Sequence, residues 1–377
     1  MLILGIETSC DETAASVLEV KKEKIKVLSN VVSSQIKLHA AWGGVVPNLA
    51  AREHLKNIFP VIHSALKEAK IKPADIDLVG VTSGPGLIPA LLIGVNAAKT
   101  LAYVWKKPLM GIHHIEGHIY SNFIGDKIRV ISNDQFPISK KIPTSKNQKL
   151  KTKNSIKFPI LCLVVSGGHT QLVLMKKHLH YQIIGETQDD AVGEAFDKVA
   201  RILGLGYPGG PAIAAMAAKC YKLQTTNYKP TFPRPMINSD DFNFSFSGLK
   251  TAVLYETKKH PELMKEPAYI AAICREFQNA ATEVLIAKTI RAAQKYHPRS
   301  VLLAGGVSAN LELRKKLGAT VRKELPKMAY YIPNTAYALD NSAMIAAAAY
   351  FRRKLSRKKI YPWQNVGADA NLKLFSL

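Results

Sequence analysis

Two histidines four residues apart are the first feature of this sequence that could do chemistry. His114 and His118 lie in GIHHIEGHIYSN, residues 111–122, which is otherwise largely apolar. An α-helix turns about 100° per residue, so side chains four apart lie on nearly the same face. Two imidazoles on one face can bind a single metal ion. The spacing therefore predicts a metal-binding helix, with two buried, hydrogen-bonded histidines as the alternative.

The glutamate between the two histidines argues against a metallopeptidase. A zinc-peptidase helix has the pattern H-E-x-x-H, in which the glutamate directly follows the first histidine and acts as general base. Here Glu116 stands two residues after His114, about 200° around a helix, and would point away from the metal. A third ligand should come from a distant part of the chain. Asp340, just before the alanine-rich run NSAMIAAAAY, is the candidate, and a simple helix N-cap is its alternative.

Glycine-rich turns form a second group of candidate residues. VVSGGHTQ places Ser166, Gly167 and Gly168 after an apolar run, and AGGVSAN precedes a predicted helix that begins near Asn310. Glycines let the backbone approach a ligand closely, and backbone amides at such turns and at helix N-termini favour anions. The segment GLGYPG, residues 204–209, matches G-x-G-x-x-G but follows a helical pattern, so we interpret it as a helix end and loop. No Walker-type G-x-x-x-x-G-K-[ST] motif is present.

Acidic residues gather at two further places. IETSCDET concentrates Glu7, Asp11 and Glu12 around a predicted hairpin turn, and GEAFDK places Glu194 and Asp197 one helical turn apart. Carboxylates at a turn can bind a metal, move protons or hold an amine. Asp197 could accept hydrogen bonds from sugar hydroxyls. A solvated turn and a solvated helix face are the alternatives.

The charge of the chain favours a polyanionic partner. Its 377 residues include 52 Lys and Arg against 28 Asp and Glu, a net charge of +24. Basic groups placed on phosphates release counterions, which favours nucleic-acid binding; lysine drift in an A/T-rich genome is the alternative. Residues 125–157 hold nine Lys or Arg and two Asp, a composition typical of a flexible surface loop. This segment is either a tolerated insertion or a nucleic-acid-binding arm, and RRKLSRKK near the C-terminus is a second basic run.

Nothing in the sequence predicts secretion or membrane insertion. The longest apolar stretch, residues 86–105, contains Pro89, Asn96 and Lys99, so we predict a buried core helix rather than a membrane span. The N-terminus has no basic region or cleavage site. The four cysteines are scattered without C-x-x-C spacing, which argues against a disulfide framework. These features predict a cytoplasmic protein.

The order of predicted elements repeats. LILGIETSCDETAASVLEV and ILCLVVSGGHTQLVLMKK each have the pattern of a β-hairpin, and each is followed later by a strand, a glycine turn and a helix. This indicates two related α/β lobes with a cleft between them. We expect an N-terminal lobe at 1–122, a lysine-rich insertion at 123–157 and a C-terminal lobe at 158–331. The segment 332–377 should pack back on the first lobe.

Seven segments together resemble the bacterial tRNA threonylcarbamoyladenosine transferases of the TsaD type, formerly classed as O-sialoglycoprotein endopeptidases. They are GIETSCDET, HHIEGHIYS, LVVSGGHTQL, DDAVGEAFDKVARILGLGYPGGP, FSFSGLKTAV, GGVSANLELR and DNSAMIA, in this order across nearly the whole chain. The resemblance implies the two-lobed actin/hexokinase/Hsp70-like ATPase fold, with duplicated lobes around a central cleft. This expectation agrees with the repeated order of elements.

The resemblance also implies roles for individual residues. One divalent metal ion, iron or alternatively zinc, would be bound by His114, His118 and Asp340. Threonylcarbamoyl-AMP would be bound by the turn Val164, Val165, Ser166, Gly167 and Gly168, and its nucleoside part by Asp197, Gly210 and Asn310. Apart from the resemblance, the chemistry of the transfer leads us to expect that Asp11 or Glu12 takes up a proton late in the step.

The reaction implied is an acyl transfer to tRNA. The threonylcarbamoyl group would move from threonylcarbamoyl-AMP to the exocyclic amine of the adenosine beside the anticodon, in tRNAs reading codons that begin with A. The implied partners are tRNA, a paralogous inactive protein of the same fold and a small P-loop ATPase. A small-molecule kinase of the same fold, a metallopeptidase and a non-catalytic scaffold are the alternatives. The segment 125–157 is longer than the family's usual connection, which leaves open whether it contacts tRNA.

Overall fold

Two five-stranded sheets organise the chain in this computed structural model, which describes residues 1–125, 156–220, 228–356 and 362–374. The first sheet contains β1 (Leu2–Glu7), β2 (Glu12–Lys21), β3 (Lys24–Ser34), β4 (Leu78–Gly84) and β5 (Leu109–His113). The second contains β6 (Ile160–Val165), β7 (Thr170–Lys177), β8 (His180–Glu186), β9 (Ser300–Ala304) and β10 (Ala329–Tyr331). The α-helices are α1 (Ile36–Ala40), α2 (Pro47–Ala69), α3 (Ile88–Trp105), α4 (His114–Tyr120), α5 (Val192–Ile202), α6 (Gly209–Lys219), α7 (Ser247–Lys259), α8 (Pro267–Tyr296), α9 (Leu311–Glu324) and α10 (Ser342–Leu355).

The two sheets have the same topology. The first has the strand order β3-β2-β1-β4-β5, and the second, read in the same sense, has the order β8-β7-β6-β9-β10. In both, the first three strands form an antiparallel meander. The last two strands run parallel to the first. The predicted duplication into two α/β lobes, each with a hairpin first and a strand–turn–helix unit last, is confirmed.

The sheets are covered on both faces, and this produces five layers. In β6, Leu161, Leu163 and Val165 pack into a core with α5–α9, while the alternate residues pack into a core shared with the first sheet. A strand buried on both faces has apolar residues at every position, as β6 does. A third core lies between the first sheet and helices α2 and α3. The short helix α4 and the alanine-rich helix α10 occupy the central layer, because their residues belong to the shared core.

Helix α3 has only one face buried, which corrects the prediction of a buried core helix. Gly94 packs so closely on the first sheet that a Cβ there would lie 2.2 Å from the Thr8 hydroxyl oxygen. On the opposite face Leu92, Tyr103 and Val104 are exposed. Among the described residues, α3 is the one helix long and apolar enough to cross a membrane. Most of the lysine-rich segment 125–157, from 126 to 155, lies outside the described residues, as does the end of the second basic run.

Candidate metal centre and substrate cleft

Helix α4 presents the two histidines as the spacing predicted. The helix begins directly after β5, and its N-terminus is capped by His113, whose Nδ1 accepts a hydrogen bond from the Ile115 amide at 3.1 Å. His114 and His118 lie one turn apart, with ring centroids separated by 4.7 Å. Both side chains are buried. The cap and the core contacts of α4 hold both imidazoles towards the centre of the molecule.

Asp340 meets both histidines. Its Oδ1 lies 3.1 Å from His118 Nε2 and 3.6 Å from His114 Nε2. One ligand atom from each of the three residues falls within 4.8 Å of the others. The alternative role of Asp340 as a helix cap is wrong, because the next residue, Asn341, caps α10 by accepting a hydrogen bond from Met344 N at 3.1 Å. Asp340 is therefore free to face the histidines.

The donor set fits a divalent transition metal. His118 Nδ1 is buried and forms no hydrogen bond with any part of the chain that the structure describes, while His118 Nε2 faces the Asp340 carboxylate. Buried polar atoms normally have partners, and a cation held between this imidazole and the carboxylate would satisfy both. His114 directs Nδ1 at Glu7 and leaves Nε2 facing Asp340. A metal-binding imidazole is commonly oriented by a carboxylate at its other nitrogen, and two imidazoles with one carboxylate form a usual ligand set for iron or zinc.

The charges of the centre are strongly coupled. Burial opposes the charged form of His114, yet the carboxylates of Asp340 and Glu7 raise its pKa to about 9. Burial also opposes ionisation of Asp340, but the neighbouring His114 and His118 lower its pKa. Glu7 is likewise buried, and His114 keeps its pKa below the usual value. The buried carboxylate of Glu7 and the half-buried carboxylate of Asp340 thus create a site that favours positive charge.

Glu7 is a residue of the centre to which the sequence pattern gave no role. It is fully buried, and its carboxylate accepts hydrogen bonds from Thr82 Oγ1 at 2.7 Å and from the Ser9 amide at 2.5 Å. Its remaining contact is His114 Nδ1, at 3.1 Å. Its place in the acidic stretch IETSCDET was the only sequence signal. The stretch alone could not distinguish Glu7, which orients a ligand, from Asp11 and Glu12.

Glu116 points away from the three candidate ligands, as its position in the motif predicted. It is fully buried and accepts hydrogen bonds from Arg352 Nε at 2.6 Å and Arg352 Nη2 at 2.7 Å. A carboxylate engaged by both nitrogens of a guanidinium is not placed to deprotonate water at a metal. The arrangement therefore disfavours a peptidase of the H-E-x-x-H type.

The two glycine turns lie side by side at the ends of neighbouring strands. Val164 of β6 pairs with Ala304 of β9, so SGG and AGG follow adjacent parallel strands. A Cβ on Gly167 or Gly168 would meet no atom within 4 Å in the described structure, which leaves open space beside the backbone. Gly305 has φ of +86° and packs against the Val165 carbonyl. Ligands bind α/β sheets at the carboxyl ends of such strands.

The other residues predicted to bind the adenylate differ in what they can offer a ligand. Val164 and Val165 direct their side chains into the two cores, so only their backbone can meet a ligand. Asp197 accepts a hydrogen bond from Gly209 N at 2.7 Å, and Gly210 beside it borders open space. Asn310 does not present a free amide: its Oδ1 caps α9 at Leu313 N, and its Nδ2 donates to Gln278. The cap explains the position of Asn310 without a ligand.

Asp11 and Glu12 follow β1 and interact electrostatically with each other, and Glu12 does so with Asp340. Tyr207 donates a hydrogen bond to Asp11 Oδ2 at 3.3 Å. Burial, together with the negative charges of Asp11 and Asp340, raises the pKa of Glu12 well above its usual value. The pKa of His169, in the SGGH turn, is lowered to about 4 by burial and by the positive charges of His114 and His118. His169 was not selected from the sequence, where a lone histidine after two glycines carries no specific signal.

These features define the class of protein. Two sheets of identical topology, with a His–His–Asp triad in the central layer, form the predicted two-lobed α/β architecture of the actin/hexokinase/Hsp70-like ATPase type. HypF of T. kodakarensis has a similar fold, with a TM-score of 0.50 and 12% identity over 93% of this chain and 47% of HypF. Full-length HypF in a phosphate- and nucleotide-bound form gives a TM-score of 0.53 at 12% identity, over 96% of this chain and 47% of HypF. The chain thus spans about half the length of HypF.

Sequence comparison assigns the chain to one family within this class. The profile of TsaD, tRNA N6-adenosine threonylcarbamoyltransferase, matches residues 26–142 and 134–347. Proteins of that name are 48% identical in Persephonella marina, over 94% of this chain and 91% of the relative, and 48% identical in Listeria monocytogenes, over 92% and 90%. The relative in Thermosipho melanesiensis is 47% identical over 93% of this chain and 94% of its own. The chain belongs to the tRNA N6-adenosine threonylcarbamoyltransferase family and is a transferase.

Proposed function

We propose that this protein transfers threonylcarbamoyl from threonylcarbamoyl-AMP to the exocyclic amine of the adenosine beside the anticodon, in tRNAs reading codons that begin with A. The names of its relatives support the acceptor and the transferred group. One structural observation carries the proposal for this chain. Helix α4, with two residues of the His114–His118–Asp340 triad, packs against β6 and β9, the strands that end in the two glycine turns. This packing supports a metal site next to an adenylate cradle.

The triad and the glycine turns have separate tasks in this proposal. His114, His118 and Asp340 would hold one divalent metal ion, for which we propose iron, with zinc as the alternative. A bound cation supplies Lewis acidity towards the carbamoyl oxygen of the donor, a mixed anhydride with AMP as its leaving group. The backbone amides of Gly167 and Gly168 would hold the phosphate of the adenylate, in a turn that Ser166 closes by donating its amide to the His169 carbonyl at 2.8 Å. Asp197 and Gly210 would line its nucleoside. Asn310 would contribute to the same site by capping α9 and so fixing the N-terminus of that helix.

We assign proton transfer to the carboxylates that follow β1. The attacking amine is weakly nucleophilic because its lone pair is delocalised into the purine, so positioning dominates over deprotonation. The amine must still lose a proton as the carbamoyl bond forms. We propose that Glu12, whose raised pKa makes its carboxylate a better base, accepts that proton, with Asp11 as the alternative. Tyr207 would hold Asp11 in place through their hydrogen bond.

The remaining organisation follows from the resemblance and from the packing of the elements. We propose an N-terminal lobe at 1–122, completed by 332–377, whose helix α10 packs on β1, β2 and β4. The C-terminal lobe at 158–331 would follow the lysine-rich insertion at 123–157. We further propose a cytoplasmic enzyme that acts with a paralogous inactive protein of its own fold and a small P-loop ATPase. The net charge of +24 supports tRNA as the polyanionic substrate.

A small-molecule kinase is the second candidate function. Its support is the HypF-like fold and the two adjacent glycine turns, which could hold ATP phosphates. It predicts ATP-dependent phosphorylation of a sugar or an acid. It gives no task to the two buried imidazoles that face Asp340, so the transferase accounts for more of the site.

The direct test is transfer of labelled threonine to unmodified tRNA, with the adenylate-forming enzyme and the proposed partners supplied. We expect label in tRNA that carries adenosine beside the anticodon and none in the same tRNA with guanosine there. His114→Ala should abolish transfer and lose bound metal by elemental analysis while circular dichroism shows a folded protein. The exposed control Lys56→Gln should retain both metal and transfer. A folded, metal-loaded complex that transfers no label, or His114→Ala protein that retains stoichiometric metal, would contradict the proposal.

A further inference from the structure

An exposed indole lies in a loop that contacts both lobes and has no task in the reaction described above. Trp42 follows helix α1, and 65% of its surface is exposed. Single exposed apolar residues are common on proteins, so exposure alone carries little. Trp42 differs from such residues in two ways: its loop is ordered by internal hydrogen bonds, and the same loop contacts both lobes.

The loop is built around a buried histidine. His39 Nε2 lies 3.0 Å from Gln35 Oε1, and His39 Nδ1 accepts a hydrogen bond from Val46 N at 3.3 Å. The His39 carbonyl accepts hydrogen bonds from Trp42 N at 3.0 Å and from Gly44 N at 3.2 Å. One side chain thus ties both ends of the loop, and its carbonyl closes the turn. These internal bonds fix the backbone while the indole stays outside, so Trp42 is presented to solvent on an ordered support.

The same loop is hydrogen-bonded to Asp11 and Glu12 in the first lobe and to helix α5 in the second. At its start, Ser34 Oγ donates to Glu12 Oε1 at 3.1 Å, and Gln35 N donates to the Asp11 carbonyl at 3.0 Å. At its far end, Arg201 of α5 donates a hydrogen bond to the Gly43 carbonyl. Trp42 precedes Gly43 in this segment, whose bonds run from Asp11 and Glu12 at one end to the helix that carries Asp197 at the other. The exposed guanidinium of Arg201 lies against Gly43 and Gly44, the two residues that follow Trp42.

We propose that Trp42 is a stacking platform for an unpaired base of the tRNA anticodon loop, next to the adenosine that is modified. Single-stranded RNA is recognised mainly by stacking of unpaired bases on aromatic side chains and by cations that contact the phosphates. Trp42 supplies the aromatic face, and Arg201 supplies the adjacent positive charge. Trp42 acts as a positioning residue: it holds the loop so that the target amine reaches the carbamoyl group. This inference rests on the proposed function, because it requires tRNA as the acceptor.

The first experiment observes the indole directly. The chain has three tryptophans, Trp42, Trp105 and Trp363, so Trp105→Phe with Trp363→Phe leaves Trp42 as the only tryptophan fluorophore. We expect its fluorescence to be quenched on titration of the full-length protein with an unmodified anticodon stem-loop. A stem-loop of equal length with a fully paired loop region serves as the control and should quench far less. Equal quenching by both, or none by either, would overturn the proposal.

The second experiment separates acceptor positioning from the rest of catalysis. Trp42→Ala should raise the KM for tRNA and the Kd for the stem-loop by roughly tenfold or more, and Trp42→Phe should restore most of the loss. The KM for threonylcarbamoyl-AMP and the metal content should not change. Tyr255→Ala, which removes an equally exposed ring, 66% exposed on α7, is the matched control and should behave as wild type.

The outcomes distinguish this inference from the proposed function. Wild-type tRNA affinity in Trp42→Ala protein, or an equal loss in Tyr255→Ala protein, would overturn the stacking role while transfer in the wild type still supports the transferase. Quenching of Trp42 by the stem-loop without any transfer in the complete complex would contradict the proposed function and support the Trp42 contact.

Discussion

The carboxylate of Glu116 on α4 accepts hydrogen bonds from both Nε and Nη2 of Arg352 on α10, at 2.6 and 2.7 Å. The two residues are 236 positions apart in the sequence. Helix α4 carries His114 and His118, and α10 begins at Ser342, two residues after Asp340. The pair therefore links the two helices on which all three candidate metal ligands depend.

Loss of this pair should destabilise the fold without removing a metal ligand. Removing one partner of a buried ion pair leaves an uncompensated charge and typically costs about 3–5 kcal/mol. We expect Glu116→Ala to lower the free energy of unfolding by about that amount in urea titrations. At saturating metal it should retain stoichiometric metal. Unchanged stability combined with lost activity would instead identify Glu116 as a reacting group. A double-mutant cycle with Arg352→Met measures the coupling between the two side chains.

Glu7 should control metal affinity through His114. Its carboxylate orients the Nδ1 side of the ring, and loss of such a partner typically weakens metal binding about 10–100-fold. We expect Glu7→Gln protein to release metal to a competing chelator at correspondingly lower chelator concentration. The control is Glu19→Gln, which removes a carboxylate paired with Lys21 on β2 and should leave metal affinity unchanged. Equal affinity in both variants would contradict the role of Glu7.

The glycines of the cleft should respond differently to added side chains. Gly168 borders open space, so Gly168→Val should leave thermal stability nearly unchanged and weaken binding of a non-hydrolysable adenylate analogue. Gly193 is different, because a Cβ there would lie 2.5 Å from the Ser166 carbonyl oxygen. Gly193→Ala should lower the melting temperature, although alanine normally stabilises a helix by about 1 kcal/mol relative to glycine. Wild-type affinity for the analogue in Gly168→Val protein would remove the turn from the donor site.

Acid should destabilise the protein through His178. This residue stacks on Tyr120 and Phe351, and burial, followed by the positive charge of Lys354, lowers its pKa to about 4. Between pH 6.5 and about 4 the unfolded chain binds a proton that the folded protein excludes, so stability falls as the pH decreases through this range. The slope from one such group is at most about 1.4 kcal/mol per pH unit. His178→Phe should flatten the dependence of unfolding free energy on pH in this interval. An unchanged slope would show that His178 titrates normally.

Much of the architecture was predictable because short-range patterns of residues indicate the strands, turns and helices. Apolar runs with short polar turns predicted both hairpins, and strand–glycine–helix units predicted β4–α3 and β9–α9. The four-residue spacing of His114 and His118 predicted their common face, since helical geometry depends only on the backbone. The absence of a glutamate at the second motif position also excluded the peptidase pattern. Helix α3 was predicted as a helix, but its exposed face was not, because apolar composition alone does not show which side packs.

Other features depended on contacts that only the folded chain creates. The sequence by itself determined the types of chemical group available: imidazoles, carboxylates, glycine turns and a large positive charge. In the folded chain Glu7, and neither Asp11 nor Glu12, contacts His114. Asn310 caps α9, and Glu116 forms an ion pair with Arg352. These choices depend on burial, because removing a charge or an amide from water requires a partner at bonding distance. That partner can be far away in the sequence, as Arg352 is from Glu116, so the local sequence does not identify it.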